Sequence, residues 1–203
     1  ILETTPEDPF ALGELQKVQP DAIKPHSQIL YYQLLIYVDK NPAQRLEHQM
    51  ILATLYSRAS QVNNAINLYY AIIDERPDFL EARYRLLELL QSLENWKSAE
   101  NILLSLVNVE TSDTRRILAL KNLASIQADH MMMPARALLT CFAIIDLDPM
   151  QLNAMHEQMC DISERAKSFA ALLDKYQDLA SHAKTYEIRR MANVLLANVY
   201  AER

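Results

Sequence analysis

Gln49-Met50-Ile51-Leu52-Ala53-Thr54-Leu55-Tyr56, followed by Ala65-Ile66-Asn67-Leu68-Tyr69, Ile72 and Pro77, is the stretch whose reading decides the fold. Its apolar residues recur at steps of three and four, the spacing of one face of a helix. Pro77 cannot continue a helix and redirects the chain. The stretch therefore reads as two antiparallel helices. Small Ala53 and Ala65 let them approach closely, and Tyr56 and Tyr69 fill the space toward a neighbouring hairpin. Neither helix can bury its apolar stripe alone, so the pattern asks for further copies.

Working outward, Ala65 to Ala99 is 34 residues, the period of a helix–turn–helix repeat. In that second copy Leu86, Leu87 and Leu90 replace Leu52, Ala53 and Tyr56, and Leu103 and Leu106 replace Tyr69 and Ile72. Thr111 stands in the place of Pro77. Ala99 to Ala137 is 38 residues, an excess of about one helical turn. The excess is expected near residues 108–116, as a longer loop or as an added turn starting at Ser112 or Asp113, both good N-caps. Ala124, Ser125, Ala128, Ala137, Cys141, Ile144 and Pro149 then fill a third copy. A fourth is weaker: Met155, Met159 and Ile162 suit its first helix, but Gln158 takes an aliphatic slot. Phe169, Leu172, Tyr176 and Leu179 fit its second helix only with a slip of one residue. A last helix from Tyr186 carries Leu196-Ala197-Asn198-Val199-Tyr200, the pattern of Leu52 to Tyr56, without a second helix after it. It reads as a truncated repeat or as a solvating cap. On the other side, Ile29, Leu30, Leu34, Tyr37 and Val38 form a helix that Asn41-Pro42 stops.

These slots, strongest over Arg45 to Pro77, resemble the tetratricopeptide repeat family. The resemblance covers residues 25–203 and implies an all-α, right-handed α-α superhelix of about four TPR-like hairpins. Residues 1–24, with Pro6, Pro9 and Pro20 among them, read as a largely irregular N-terminal extension with a short helix over Phe10 to Val18. The resemblance also implies a concave groove lined by first-helix residues. Here those are Glu47, Met50, Thr54, Ser57 and Arg58, then Glu81, Tyr84, Glu88 and Gln91, then Asn122, Ile126 and Asp129, then Asn153, His156 and Cys160. Met50, Tyr84 and Ile126 are the expected apolar anchors. One subfamily grips acidic C-terminal tails with lysines, asparagines and an arginine at fixed slots. Those slots hold Met50, Thr54, Arg85, Ala119 and Leu123, so that clamp is absent apart from one arginine in an asparagine slot.

Composition narrows the remaining classes. Gly13 is the single glycine, and good helix formers dominate. A formal charge of −6 disfavours nucleic acid, which needs a clustered basic face. No apolar run approaches the ~18 residues of a membrane span. Ile1 in place of a start methionine predicts a fragment or a processed product. His156 and Cys160 lie at a zincin-like spacing but lack a second histidine and further ligands. His130-Met131-Met132-Met133 reads as a methionine-rich turn between two helices rather than a soft-metal site. Cys141 falls in a core slot and Cys160 in a groove slot, which predicts two free thiols. One glycine cannot build a phosphate loop, and no nucleophile sits in a hydrolase motif.

The expectation is a non-catalytic protein–protein interaction scaffold with no cofactor and no metal. It would capture a peptide, a helix or a folded protein. The alternative is a regulatory or assembly domain of a larger enzyme or secretion machine. Self-association through the unfinished C-terminal repeat is a further expectation. Nothing in the residues assigns a compartment.

Overall fold

The computed structural model describes residue 14 and residues 25–201 of the 203-residue chain. The expected irregular extension and its short helix lie outside the described residues. Ten α-helices and no strands occur among the described residues, organised as two compact units that meet between Leu93 and Glu94.

The first unit holds α1 (Pro25–Val38), α2 (Pro42–Arg58), α3 (Val62–Glu75) and α4 (Leu80–Ser92). Successive helices pack on one another. Asn41 caps α2 by accepting from the Ala43 amide, and Pro42 occupies the first turn, where no backbone donor is required. Ala53, Ala65 and Ala82 are fully buried, as close helix approach requires, and Leu52, Tyr56, Tyr69 and Ile72 fill the core around them. The Tyr56 hydroxyl accepts from Gln33 Nε2 at 2.7 Å, which ties α1 to α2. Arg45 pairs with Glu75 at 2.6 Å across α2 and α3.

The second unit holds α5 (Trp96–Val109), α6 (Asp113–Ser125), α7 (Pro134–Leu147), α8 (Leu152–Arg165), α9 (Phe169–His182) and α10 (Tyr186–Ala201). Helix α6 continues without a break into a π-helical turn, Ile126–His130, and a 3₁₀ turn, Pro149–Gln151, leads into α8. The length of the first helix settles the excess of the third copy: 13 α-helical residues and the 5 of the π turn, against 13 residues in α4. The connection before α6 is only residues 110–112, so the expected longer loop does not occur. The added turn does, in a first helix that runs from Asp113 to His130 with Ser112 at its N-cap position.

Glu100 is the reason the wide turn holds. Its side chain is only 1% exposed, yet it is ionised among partners: Arg136 at 2.9 Å, Lys97 at 3.2 Å and Gln127 Nε2 at 3.0 Å. Gln127, in the π turn, also accepts from the Thr140 hydroxyl at 2.7 Å. Burial opposes ionisation of Glu100, but the hydrogen bond from Gln127 and the charges of Lys97 and Arg136 outweigh it and hold the carboxyl below its ordinary range. One network thus joins α5, the π turn and α7.

The backbone carries its own repeat marker. Ser60, Glu94, Met132 and Lys167, the middle residues of four helix–helix turns, all have positive φ, between 52° and 59°. Their spacings are 34, 38 and 35 residues. The second interval contains the π turn. The third is one residue longer than the first, and this extra residue is the slip seen over Phe169 to Leu179. Leu172, Tyr176 and Leu179 are buried as the slipped register requires.

The last helix corrects the reading of its sequence. Its buried face is Ile188, Ala192, Leu195 and Val199, while Tyr200 is 60% exposed. The match of Leu196-Ala197-Asn198-Val199-Tyr200 to Leu52 through Tyr56 is therefore one residue out of phase. In α10 the apolar stripe on the core side runs one position earlier than the copied motif. Leu30 and Tyr37 in α1 likewise face outward rather than inward.

Candidate functional site

Two adjoining cavities open on the first unit. The larger, about 520 Å³, lies between α2 and α4 and is lined by Glu47, Met50, Ile51, Thr54, Leu55 and Arg58 from α2. Phe79, Glu81 and Arg85 close its other side. The smaller, about 330 Å³, shares Thr54, Arg58 and Arg85 and adds Ser57, Tyr69, Glu88, Leu89 and Ser92. Helix periodicity explains the α2 set: 47, 50, 51, 54, 55 and 58 form one stripe, directed away from the stripe of Leu46, Leu52, Ala53 and Tyr56 that fills the core. The floor is apolar, and Ile51 stays 40% exposed.

Of the residues expected to line a groove, Glu47, Met50, Thr54, Ser57, Arg58, Glu81 and Glu88 do so. The Thr54 hydroxyl is held at 3.0 Å from the Met50 carbonyl and 3.3 Å from the Tyr69 hydroxyl. Tyr84 is half-buried and lines neither cavity. The slots 34 residues on from Glu47, Ile51 and Thr54 line the cavities from α4, as Glu81, Arg85 and Glu88, whereas the slot equivalent to Met50 does not. Arg85 is held by Glu81 at 2.9 Å and Glu88 at 3.4 Å.

In the second unit the expected groove residues are drawn into the protein's own contacts. Ile126 is 2% exposed and belongs to the core. The π turn begins at this residue, and with about one extra residue per turn it buries Ile126, Gln127 and Ala128 in succession. Ile126 is thus no anchor on an open surface. Asn122 is half-buried. His156 bonds through Nδ1 to the buried Tyr176 hydroxyl at 2.8 Å, and Cys160 Sγ lies 3.8 Å from the same nitrogen. Burial, with the nearby Cys160 and Cys141 sulfurs, pushes the Tyr176 phenol upward, so it stays a neutral partner. Neither cysteine is in a disulfide; burial pushes the Cys141 thiol up to about 11, which leaves it inert. Among the described residues no three His, Cys, Asp or Glu side chains group to hold a metal, and no helix is long and apolar enough to cross a membrane.

A tetratricopeptide-repeat family model matches residues 57–124. Residues 57–124 are thus of tetratricopeptide-repeat type. The matched residues run from the end of α2 through α6 and include the 34-residue interval between Ser60 and Glu94. Solved structures with similar architecture include MamA from Desulfovibrio magneticus RS-1, 17% identical, with 76% of this chain and 82% of that one covered at a TM-score of 0.48. A second MamA crystal structure is 19% identical, covering 78% and 92%, at a TM-score of 0.48. The TPR-like repeats of a Podosopora anserina putative kinesin light chain are 16% identical, covering 98% and 96%, at a TM-score of 0.47. No curated protein matches the chain in sequence.

Tetratricopeptide arrays stack hairpins so that first helices line an extended binding surface. In this chain the stripe of α2 that lines the larger cavity includes Glu47, Met50, Thr54 and Arg58. The residues that sequence reasoning gave no prominence are Ile51, Leu55 and Phe79. They were legible in part: Ile51 and Leu55 flank Met50 and Thr54 on the same stripe. Phe79 was not, since it lies in a turn and no periodicity points to it.

Proposed function

We propose that the chain is a non-catalytic protein-interaction scaffold whose first unit captures a partner segment in the groove between α2 and α4. The observation that carries this reading is the apolar floor formed by Met50, Ile51, Leu55 and Phe79, left open between charged rims. An apolar concavity with a few placed polar groups is the usual form of a recognition site. Its size suits one or two side chains of a peptide or a helix rather than a small metabolite enclosed on all sides. Catalysis has no support in the same place. The cavity holds no histidine or cysteine, and its titratable groups are carboxylates and guanidiniums.

The test is affinity capture with the wild-type chain beside Ile51→Glu. Ile51 is partly exposed, so the variant keeps its helical circular dichroism and melting temperature. Proteins recovered by the wild type should be lost from the variant. Recovery of the same proteins by both would place the binding surface elsewhere.

A further inference from the structure

The charges at the rim of the groove are ordered along it. Glu47 stands at one end of the α2 stripe and Arg58 at the other, with Met50, Ile51 and Leu55 between them. Neither charge has an ion-pair partner among the described residues, while Arg45, Arg76 and Arg85 of the same unit each have one. Arg58 lies in the last turn of α2, where the carbonyl ends of the helix favour a cation. The facing wall keeps its own charges occupied, because Arg85 holds both Glu81 and Glu88. What the groove offers a visitor is therefore an open carboxylate, an apolar floor and an open guanidinium, in that order.

Distance fixes the visitor's spacing. Eleven residues of helix separate Glu47 from Arg58, about 16 Å along the axis. In an extended peptide, residues i, i+2 and i+4 project from one face, and i to i+4 spans about 13 Å. The reach of two long charged side chains covers the remaining ~3 Å. We propose that this groove reads an extended segment with a basic, an apolar and an acidic side chain at alternate positions: Glu47 takes the base, the floor takes the apolar residue and Arg58 takes the acid. The proposal rests on the groove reading above and adds its charge code. The same three side chains fit with the peptide running in either direction, so both basic–x–apolar–x–acidic and its reverse are ligands. A segment with two acids or two bases meets one like charge. Such repulsion is what gives a shallow groove its selectivity.

The experiment is fluorescence anisotropy on the full chain with three capped, labelled peptides. They carry Lys-Ser-Leu-Ser-Glu, Glu-Ser-Leu-Ser-Glu and Lys-Ser-Leu-Ser-Lys between serine flanks. The Lys–Leu–Glu peptide should bind about tenfold more tightly than either of the others, from exchanging one attractive rim contact for a repulsive one. Arg58→Glu, a change at an exposed residue, should move the preference to Lys–Leu–Lys. Glu47→Lys should move it to Glu–Leu–Glu. An unchanged order of preference in both variants would overturn the charge code. Equal binding of all three peptides, lost in Ile51→Glu, would overturn the code and leave the groove standing. Binding of none of them, or binding indifferent to Ile51→Glu, would remove both.

Discussion

The two units use the same helical hairpin for different ends. In the first, the stripe of α2 that faces away from the core lines a cavity among the described residues: Glu47, Met50, Ile51, Leu55 and Arg58 face Phe79, Glu81 and Arg85 across it. In the second, the equivalent side chains close on the protein itself. His156 is bound to Tyr176, Lys121 to Gln151 at 2.9 Å, and Asn153 to the Met191 sulfur at 3.2 Å. Arg165 reaches Asp129 at 3.0 Å and Asp161 at 3.2 Å, and also donates to the Ala128 carbonyl. The difference shows what a repeat slot determines. It sets which way a side chain points, and the residue placed there sets whether the slot serves a partner or the fold.

The largest effect that would break this comparison is expected at Glu100. Glu100→Ala leaves the buried Gln127 amide without its acceptor and vacates a buried side-chain volume, while the half-exposed Arg136 is free to be solvated, and should destabilise the chain by about 2–4 kcal/mol. Nothing comparable follows from Glu47→Ala in the first unit, where the carboxylate is exposed. Unfolding by urea measures both. The sign with pH follows from the lowered carboxyl of Glu100. Its contribution is fully present above the unfolded glutamate range, near ~4.3, and is lost as pH falls through the lower folded value. Stability of the wild type should therefore drop below about pH 4 more steeply than that of Glu100→Gln. Parallel acid limbs for the two proteins would show that the network does not depend on the charge.

A smaller effect separates the two groove-side residues Thr54 and His156. His156→Ala removes the partner of a fully buried phenol and should cost about 1–3 kcal/mol, with no change in what the first unit captures. Thr54→Ala leaves Tyr69 only 3% exposed but removes a looser 3.3 Å contact. Its cost should be about 1 kcal/mol or less, and its effect should appear in binding. A reversed pattern, with binding lost in His156→Ala, would move the recognition surface to the second unit.

How much of this was legible depended on where the helix geometry stayed regular. Tyr56, Tyr69, Ile72, Ala99, Leu103, Cys141 and Ile144 are all buried where the 34-residue slots put them, because a straight α-helix carries its stripe forward unchanged. Ile126 failed for the opposite reason. A π turn adds about one residue to the helical repeat and rotates the following side chains, and no residue type announces it. Its support is Glu100, 26 positions earlier in the sequence. Tyr84 failed although its neighbours did not: the slots translated from Glu47, Ile51 and Thr54 to Glu81, Arg85 and Glu88 all line the cavities, while Tyr84 is half-buried and lines neither. The π turn, in short, depends on contacts distant in sequence, which periodicity does not record.

The smallest effect tests the feature both units share. Ser60 lies in the first unit and Lys167 in the second, and each turns its chain with positive φ, 59° and 52°, despite carrying a Cβ. That conformation costs an ordinary residue about 1–2 kcal/mol relative to the right-handed region. Glycine removes the strain but loses about 0.5–1 kcal/mol through the freedom it gains when unfolded. Ser60→Gly and Lys167→Gly should therefore each stabilise by about 0.5–1 kcal/mol, read as a rise in the denaturation midpoint with no change in slope. If the hairpin turn is a common element of the array, the two gains should be alike although the surrounding helices differ in every contact. A gain at Ser60 with a loss at Lys167 would mean that the Lys167 side chain contributes more than its backbone strain costs. The repeat marker would then be shared geometry supported locally by different residues, as the grooves are.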